Sequence, residues 1–354
     1  MSLKQVRSLD KNSKVGDKMR AVHIYATTGR RNSGDFFLGP STKWRFESLI
    51  QEKVEWTNFN VRKVITEKDI SFLNSFDYIV LGGGGLFLPD TNPNDVSCWQ
   101  WAIPESLMRK LDKQIYVMSV GLNWFFEQDI RMPSRSSSKK SEARKDIFKK
   151  NIETLIDKSI HFSMRHKGDI KELNQFVELR NAKKIKFEFC PVIGYVEKNY
   201  KAEFKSGDYI CFEIKDDRPN RRYLGTSKEK FYSELLTFIK HLKSKGEKIA
   251  VMSHDGSRSF ASYLQKKGFK SFLYLDNTVS NQEKIINNYR KVKKLYCTAG
   301  HSQMTAHALG LDFYSLISHN KLKYFMEDTG RKSPEAGDFV KNITAKSLVE
   351  NYNK

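Results

Sequence analysis

Short apolar runs alternate with longer segments of mixed polarity along most of this chain. Strands that are buried on both faces of a parallel sheet have such continuous apolar runs, and the segments between them have the spacing of amphipathic helices. In the first half of the chain the predicted strands are residues 21–26, 59–64, 77–81, 114–120, 161–165 and 187–190. This alternation predicts a parallel sheet with helices on both faces.

The second half repeats the alternation. Its predicted strands are residues 209–214, 248–253, 272–275, 294–298 and 313–318, and its predicted helices are residues 227–244, 259–267, 282–292 and 302–309. Residues 195–207 are polar and lack periodicity, which indicates a linker. We therefore predict an α/β fold with two Rossmann-like domains that face a cleft. The predicted domains are residues 20–200 and 205–335, followed by a tail or helix over residues 336–354.

Four consecutive glycines, Gly82 to Gly85, follow the third apolar run. Glycine lets the backbone adopt a positive φ and approach a ligand closely, and ligands bind beyond the carboxyl ends of parallel strands. A tight packed turn is the alternative, but four glycines favour a loop that faces a ligand. We predict that Gly83, Gly84 and Gly85 contact substrate. The run matches neither a dinucleotide fingerprint nor a Walker loop.

Residues 27–40 are rich in Gly, Asn and Ser and predict a loop, with Ser41 as the cap of the helix that follows. Asn32 and Gly34 in this loop are candidate substrate contacts. Asp35 is either a base for an attacking hydroxyl or an Asx-turn residue that stabilises its own loop.

The chain has a formal net charge of +21, because 62 Lys and Arg residues outnumber 41 Asp and Glu residues. Such an excess favours an anionic partner such as acidic lipid, nucleic acid or a phosphorylated substrate. The basic residues are spread along the chain without a nucleic-acid-binding motif, so we expect no nucleic acid partner. The cysteines are dispersed, and the sequence shows neither an apolar run long enough to span a membrane nor a leader pattern. We therefore predict a cytoplasmic protein that contacts anionic membranes peripherally.

Several cationic and histidine side chains follow predicted strands. Arg165 suits bidentate binding of an anion, although a salt-bridged surface arginine has the same pattern. Lys321 offers a mobile positive charge, and His301 precedes a helix whose N-terminus favours anions. A hydrogen-bonded structural histidine is the alternative for His301. His254 is a further candidate substrate contact in the cleft.

Six short motifs occur in a fixed order. They are Asn32–Asp35, Asp77–Phe87, Ser119–Gly121, Ser163–Arg165, Gly300–His301 and Lys321–Gly330. This ordered set resembles the polysaccharide pyruvyl transferase family, and the resemblance extends from about residue 22 to residue 332.

The resemblance implies a fold similar to the two-domain GT-B arrangement. It implies transfer of a pyruvyl group from phosphoenolpyruvate, with no cofactor, to hydroxyls of a glycan or lipid-linked saccharide, which forms a pyruvate ketal and releases phosphate. Arg165 matches the arginine of the Ser-x-Arg motif, His301 the cleft histidine and candidate general acid, and Lys321 the late lysine. Ala299 and Val192 stand where the family usually has Arg and Asp.

A GT-B glycosyltransferase with a nucleotide-sugar donor is the alternative, since the same glycines and cations suit a diphosphate. A basic cluster of Lys215, Arg218, Arg221 and Arg222 either steers an anionic donor or forms a solvated face. Asp216 and Asp217 are adjacent and do not form the spaced Asp-x-Asp pattern of metal-bound sugar nucleotides. We expect no required metal ion.

Overall fold

The computed structural model describes residues 18–27, 32–90, 94–133, 139–278, 281–331 and 334–353. Within these residues the strands form two parallel sheets. The strands are β1 (Arg20–Tyr25), β2 (Glu55–Asn60), β3 (Tyr78–Gly84), β4 (Gln114–Val120), β5 (Ser159–Met164), β6 (Ile185–Phe187), β7 (Tyr209–Glu213), β8 (Lys248–Ser253), β9 (Leu273–Asp276), β10 (Val292–Cys297) and β11 (Asp312–Ser315).

Helices connect the strands. They are α1 (Ser33–Ile50), α2 (Glu67–Leu73), α3 (Glu105–Arg109), α4 (Glu142–Lys158), α5 (Lys167–Leu173), α6 (Leu179–Ala182), α7 (Pro191–Tyr200), α8 (Pro219–Arg222), α9 (Lys228–Ser244), α10 (Ser259–Lys266), α11 (Gln282–Tyr289), α12 (Gly300–Leu309), α13 (Asn320–Asp328) and α14 (Ala345–Tyr352).

The first sheet has the strand order β2-β1-β3-β4-β5-β6. Successive side chains of a strand point to opposite faces, and the central strands β1, β3 and β4 are buried on both faces. Val22 and Leu81 pack into one core cluster, whereas Ala21 and Val80 pack with Phe46 of α1 on the opposite face. The apolar runs in the sequence arise from this double burial.

The second sheet has the order β11-β10-β7-β8-β9. Cys211 and Leu295 face one core cluster, while Phe212 and Tyr296 face the other, where the apolar side of α9 also packs. In the C-terminal tail, Leu348 of α14 joins this second cluster. The tail therefore completes the core of the second sheet.

The predicted loop over residues 27–40 is wrong in its second part, because α1 begins at Ser33 and continues through Pro40. The side chain of Asn32, not that of Ser41, accepts the capping hydrogen bond, from Gly34 N. Pro40 has no N–H to donate to the carbonyl of Phe36. Gln282 Nε2 of α11 donates to that oxygen at 2.9 Å instead. A contact between the two halves thus supplies the Phe36 carbonyl with the hydrogen bond that Pro40 cannot donate.

Two further sequence predictions need correction. Part of the predicted linker over residues 195–207 is helical, because α7 begins at Pro191 and buries Val192 and Val196. The glycine run is also not wholly a loop, since β3 continues through Gly84. Gly82 and Gly84 have φ values of 119° and 94°. The first sheet therefore carries the glycine backbone directly to its carboxyl edge.

Candidate active site

A single cleft is lined by residues that follow strands of both sheets. Its lining includes Asn32, Asp35, Gly83, Gly84, Gly85, Asn123, Phe125, Arg165, Lys215, Asp217, Arg218, Arg222, His254, Ala299, Gly300, His301, His319 and Lys321. All sequence-predicted site residues except Gly34 are among them. The carboxyl ends of the two sheets bring these residues together, as expected for open parallel sheets.

Gly34 lies directly behind the cleft, in contact with His301. A Cβ atom on Gly34 would be 1.8 Å from His301 Nδ1, so any larger side chain would displace the imidazole. Because Gly34 lies in the first turn of α1 and His301 in the first turn of α12, this glycine lets the two halves approach each other. Its role in the structure is packing against a cleft residue.

The glycine backbone of β3 packs closely against its neighbours. Gly83 N donates to Thr42 Oγ1 of α1 at 3.0 Å. A Cβ on Gly85 would lie 2.4 Å from Asn123 Cβ. These contacts explain why larger residues do not fit, while the backbone of residues 83–85 still lines the cleft.

Asp35 lies in the first turn of α1 and is half-buried. Burial raises its pKa above the usual value, and the nearby charges of Lys215, His254, Arg62 and Lys321 oppose this rise. The carboxyl group therefore sits among cations, where it can accept a proton or a hydroxyl hydrogen bond.

Arg165 follows β5 and is 3% exposed. Its guanidinium lies over Gly121, where a Cβ would be 2.3 Å from Nε. Nε and Nη2 are buried and make no hydrogen bond to the described residues. A buried cation with free donors is costly unless an anion binds to it. The geometry favours the anion-binding interpretation of Arg165 over a surface salt bridge.

His301 lies in the first turn of α12, which begins after Ala299 without a side-chain cap. Burial holds the pKa of His301 well below its usual value, and Arg165, His254, Lys321 and Lys215 lower it further. These surroundings oppose a positive charge on the imidazole. A neutral ring is suited to hydrogen bonding and is poorly suited to the predicted role of general acid.

Lys321 lies in the first turn of α13, and its Nζ donates to Asn123 Oδ1 at 2.8 Å. This hydrogen bond links the two halves across the cleft. Burial holds the pKa of Lys321 well below its ordinary value, and Arg165, Lys215 and Arg222 add repulsion. An anion in the cleft would relieve this repulsion.

Three members of the basic cluster, Lys215, Arg218 and Arg222, line the cleft, whereas Arg221 contacts Met132 Sδ at 3.4 Å. Arg222 donates to Asp217 Oδ1 at 2.7 Å and to Ser318 Oγ at 2.9 Å. The guanidinium carbons of Arg218 and Arg222 lie 5.2 and 5.3 Å from the centre of the Phe125 ring. Sequence reasoning missed Phe125 and Asn123, which belong to a polar and aromatic stretch without a recognisable motif.

Asp217 and Asp216 are both engaged by cations. Burial alone would raise the pKa of Asp217, but Arg222, Lys215 and Arg218 outweigh it and hold this pKa well below the ordinary value. Asp216 pairs with Lys228 and accepts from the Tyr223 hydroxyl at 3.0 Å. Among the described residues, no group of three or more His, Cys, Asp or Glu residues could hold a metal ion.

His254 follows β8 and is buried at the boundary of the two halves. Its Nδ1 lies 2.7 Å from Glu213 Oε1, 2.8 Å from Ser33 Oγ and 3.1 Å from Ser302 Oγ. The carbonyl oxygen of His254 also accepts a hydrogen bond from Ser33 N at 3.0 Å. Sequence reasoning missed Glu213, because a carboxylate at the end of an apolar strand carries no motif.

Several solved structures have the same fold as this chain. The UDP co-structure of MnaA from S. aureus matches with a TM-score of 0.58 and 11% identity over 95% of this chain and 88% of that chain. A putative UDP-N-acetylglucosamine 2-epimerase from Listeria monocytogenes matches with a TM-score of 0.56 and 10% identity, over 96% and 89% of the two chains. The fold is GT-B-like.

A third similar structure is the UDP-GlcNAc 2-epimerase of Methanocaldococcus jannaschii in complex with UDP-GlcNAc and UDP. Its TM-score is 0.53 and its identity 13%, over 95% of this chain and 93% of that chain. No family model and no curated protein matches the chain. The resemblance to the pyruvyl transferase family therefore stays a prediction.

The comparisons contradict the predicted pyruvyl transfer from phosphoenolpyruvate. The similar structures are named for UDP and UDP-GlcNAc, and none of those reported above is named for a pyruvyl donor. The physical reason for the wrong prediction is that phosphate, carboxylate and diphosphate all bind to the same cations. The nucleotide-sugar alternative is the better supported one. The prediction that phosphoenolpyruvate is a partner is likewise not supported.

Proposed function

We propose that this protein is a GT-B-like enzyme that binds a nucleoside diphosphate sugar in the cleft and transfers the sugar to a hydroxyl group. The buried guanidinium of Arg165, with Nε and Nη2 free of hydrogen bonds to the described residues, is the observation that carries this proposal. The confirmed fold supports it, because the similar structures from S. aureus and M. jannaschii contain UDP.

The diphosphate has a suitable site between Arg165 and the start of α12. Helix N-termini present free N–H groups and a partial positive charge, which favour phosphate groups. The side chain of Lys321 lies against Gly300, where a Cβ would be 3.1 Å from Lys321 Cε. Lys321 and Arg165 can thus approach one anion from two sides. The absence of a side chain on Gly300 leaves room for this arrangement.

Cations at this place also serve the chemical step. As the bond between the sugar and the β-phosphate breaks, negative charge grows on the departing diphosphate. Preorganised cations in a partly dry cleft stabilise this charge more than water would. Arg165, Lys321 and Lys215 can supply the stabilisation that a metal ion supplies in other transferases.

The proposed transfer also needs an acceptor with a hydroxyl group. We infer that it is a glycan or a lipid-linked saccharide, and that the protein contacts anionic membranes peripherally. The net charge of +21 supports attraction to anionic surfaces. No helix among the described residues is both long and apolar enough to cross a bilayer.

Calorimetric titration tests the donor. UDP-GlcNAc and UDP are expected to bind, and Arg165→Ala is expected to weaken UDP binding by about 1.5–3 kcal/mol, because a charge-assisted contact is lost. This corresponds to roughly 10- to 150-fold in Kd. Arg180→Ala is the matched control, since Arg180 is 66% exposed on α6 and pairs with Asp157 and Glu178. The UDP affinity of Arg165→Lys is expected to lie between those of the wild type and Arg165→Ala.

Product analysis then identifies the reaction. UDP release from UDP-GlcNAc, faster when a glycan acceptor is present, supports glycosyl transfer. Tighter binding of phosphoenolpyruvate than of UDP, or equal UDP affinity in Arg165→Ala and Arg180→Ala, contradicts the proposal. Inversion at the sugar C2 without UDP release would identify an epimerase instead.

A further inference from the structure

We propose that His254 accepts the proton of the attacking hydroxyl and that Glu213 positions its imidazole for this step. The inference rests on the proposed function and deepens it by assigning the proton transfer.

Glu213 is the last residue of β7 and its side chain is 0% exposed. An ionised carboxylate in such a place is costly unless it is paired. In the described structure its charged partner is His254, with 2.7 Å between Oε1 and Nδ1. Glu213 does not line the cleft. Its effect on a substrate must therefore pass through the histidine.

Contacts from both halves of the protein fix the orientation of the His254 ring. Ser33 of α1 and Ser302 of α12 place their hydroxyls 2.8 and 3.1 Å from Nδ1. All of these contacts use Nδ1, which leaves Nε2 as the ring nitrogen available to the cleft that His254 lines. Neither Glu213 oxygen makes a hydrogen bond to the described residues, but its negative charge 2.7 Å from Nδ1 favours a proton on that nitrogen. The lone pair of Nε2 is then free to act as a base.

The two histidines at this end of the cleft differ in their surroundings. His301 faces the cations Arg165, Lys321 and Lys215, which oppose a positive charge on its ring. Among the described residues, a carboxylate oxygen lies within 4.0 Å of a ring nitrogen of His254 but of no nitrogen of His301. His254 is thus the cleft histidine that has a carboxylate beside its ring. Charged and titratable groups near His254 and Glu213 include Asp35, Lys215, Asp255 and Tyr289.

The proposed step is a direct displacement. The acceptor oxygen forms a bond to the anomeric carbon, and the bond from that carbon to the β-phosphate oxygen breaks. The electron pair of the broken bond stays on the departing nucleoside diphosphate, while the hydroxyl proton moves to Nε2 of His254. When water is the acceptor, the same step hydrolyses the donor.

The first test measures UDP release from UDP-GlcNAc in water together with UDP affinity. His254→Asn keeps a polar group near the position of Nδ1 and removes Nε2. We expect kcat to fall by roughly 10²–10⁴-fold while the Kd for UDP stays within about twofold. His307→Asn is the matched control, because His307 of α12 packs beside Phe325 of α13 and does not line the cleft. An unchanged kcat in His254→Asn would overturn the inference, as would an equal loss of UDP binding.

The second test concerns Glu213. Glu213→Gln keeps the shape but removes the charge, so kcat should fall at least tenfold with an unchanged KM. Nitrogen-15 NMR of the ligand-free protein should show the neutral His254 ring protonated at Nδ1, and both tautomers in Glu213→Gln. A wild-type ring protonated at Nε2 would overturn this inference but not the proposed function. Absence of UDP binding in the wild type would overturn the proposed function as well, so the two failures are distinguishable.

Discussion

At the scale of single residues, the site depends on polar groups whose surroundings were not visible in the sequence. Arg165 was predicted from its position after a strand, and the structure adds that its guanidinium is buried without a carboxylate pair among the described residues. Glu213 was not predicted, although it lies 2.7 Å from His254. Burial, which follows from long-range packing, decides what each of these side chains can do.

A buried histidine at the junction of the two halves leads to a pH prediction. His166 Nδ1 lies 3.1 Å from Asp328. Burial lowers the pKa of His166 to about 4, with Asp328 opposing the shift and Arg165 adding to it. Because the pKa is depressed in the folded state, the stabilisation is present above pH 6.5, the unfolded value. It is lost as the pH falls towards about 4.

We therefore expect the free energy of unfolding to fall by about 2 kcal/mol between pH 7.5 and 5 because of this residue. His166→Asn retains a donor to Asp328 but cannot take up the proton, so its urea unfolding midpoint should depend less on pH. Parallel pH dependences for wild type and His166→Asn would contradict the prediction.

At the scale of elements, α1 shows how a local rule can be overruled. Proline inside a helix removes one hydrogen bond and predicts a helix boundary. Here the helix continues through Pro40, and Gln282 of α11 donates at 2.9 Å to the Phe36 carbonyl, to which Pro40 cannot donate. The start of α1 also carries Asp35 and packs Gly34 against His301. The irregular helix therefore connects the two halves at the cleft.

A double-mutant cycle tests this connection. Gln282→Ala is expected to destabilise the protein by about 0.5–1.5 kcal/mol, because the Phe36 carbonyl loses its partner. Pro40→Ala restores an N–H that can donate to the same carbonyl, so Gln282→Ala should cost less in that background. Urea unfolding measures all four proteins. Additive effects of the two substitutions would show that Gln282 does not compensate for the proline.

At the scale of the whole molecule, the charge of +21 predicts behaviour at membranes. Binding to vesicles that contain anionic lipid is expected at low salt and should weaken as salt screens the charges. Sedimentation with neutral and acidic vesicles measures this difference. Equal binding to both kinds of vesicle, or none at low salt, would indicate that the charge serves the substrate cleft rather than a membrane surface.

The repeated pattern of apolar runs and amphipathic segments was sufficient to predict the two parallel sheets and the cleft between them. Local periodicity reports burial on each face of a strand or helix, and chain order then restricts the topology. The positions of Arg165, His301 and Lys321 near one cleft were also predictable, because residues after parallel strands gather at one edge. Which anion suits these cations was not predictable, since phosphate and carboxylate groups bind to the same cations.

The sequence by itself determined the α/β class, the presence of two parallel sheets and the cationic character of their carboxyl edges. Only the tertiary structure decided that α1 continues through Pro40 and that α7 occupies part of the linker. It also decided that Glu213 pairs with His254. These features depend on contacts between residues far apart in the chain, such as Gln282 with Phe36. Such contacts form only when both halves have folded, so no local pattern records them.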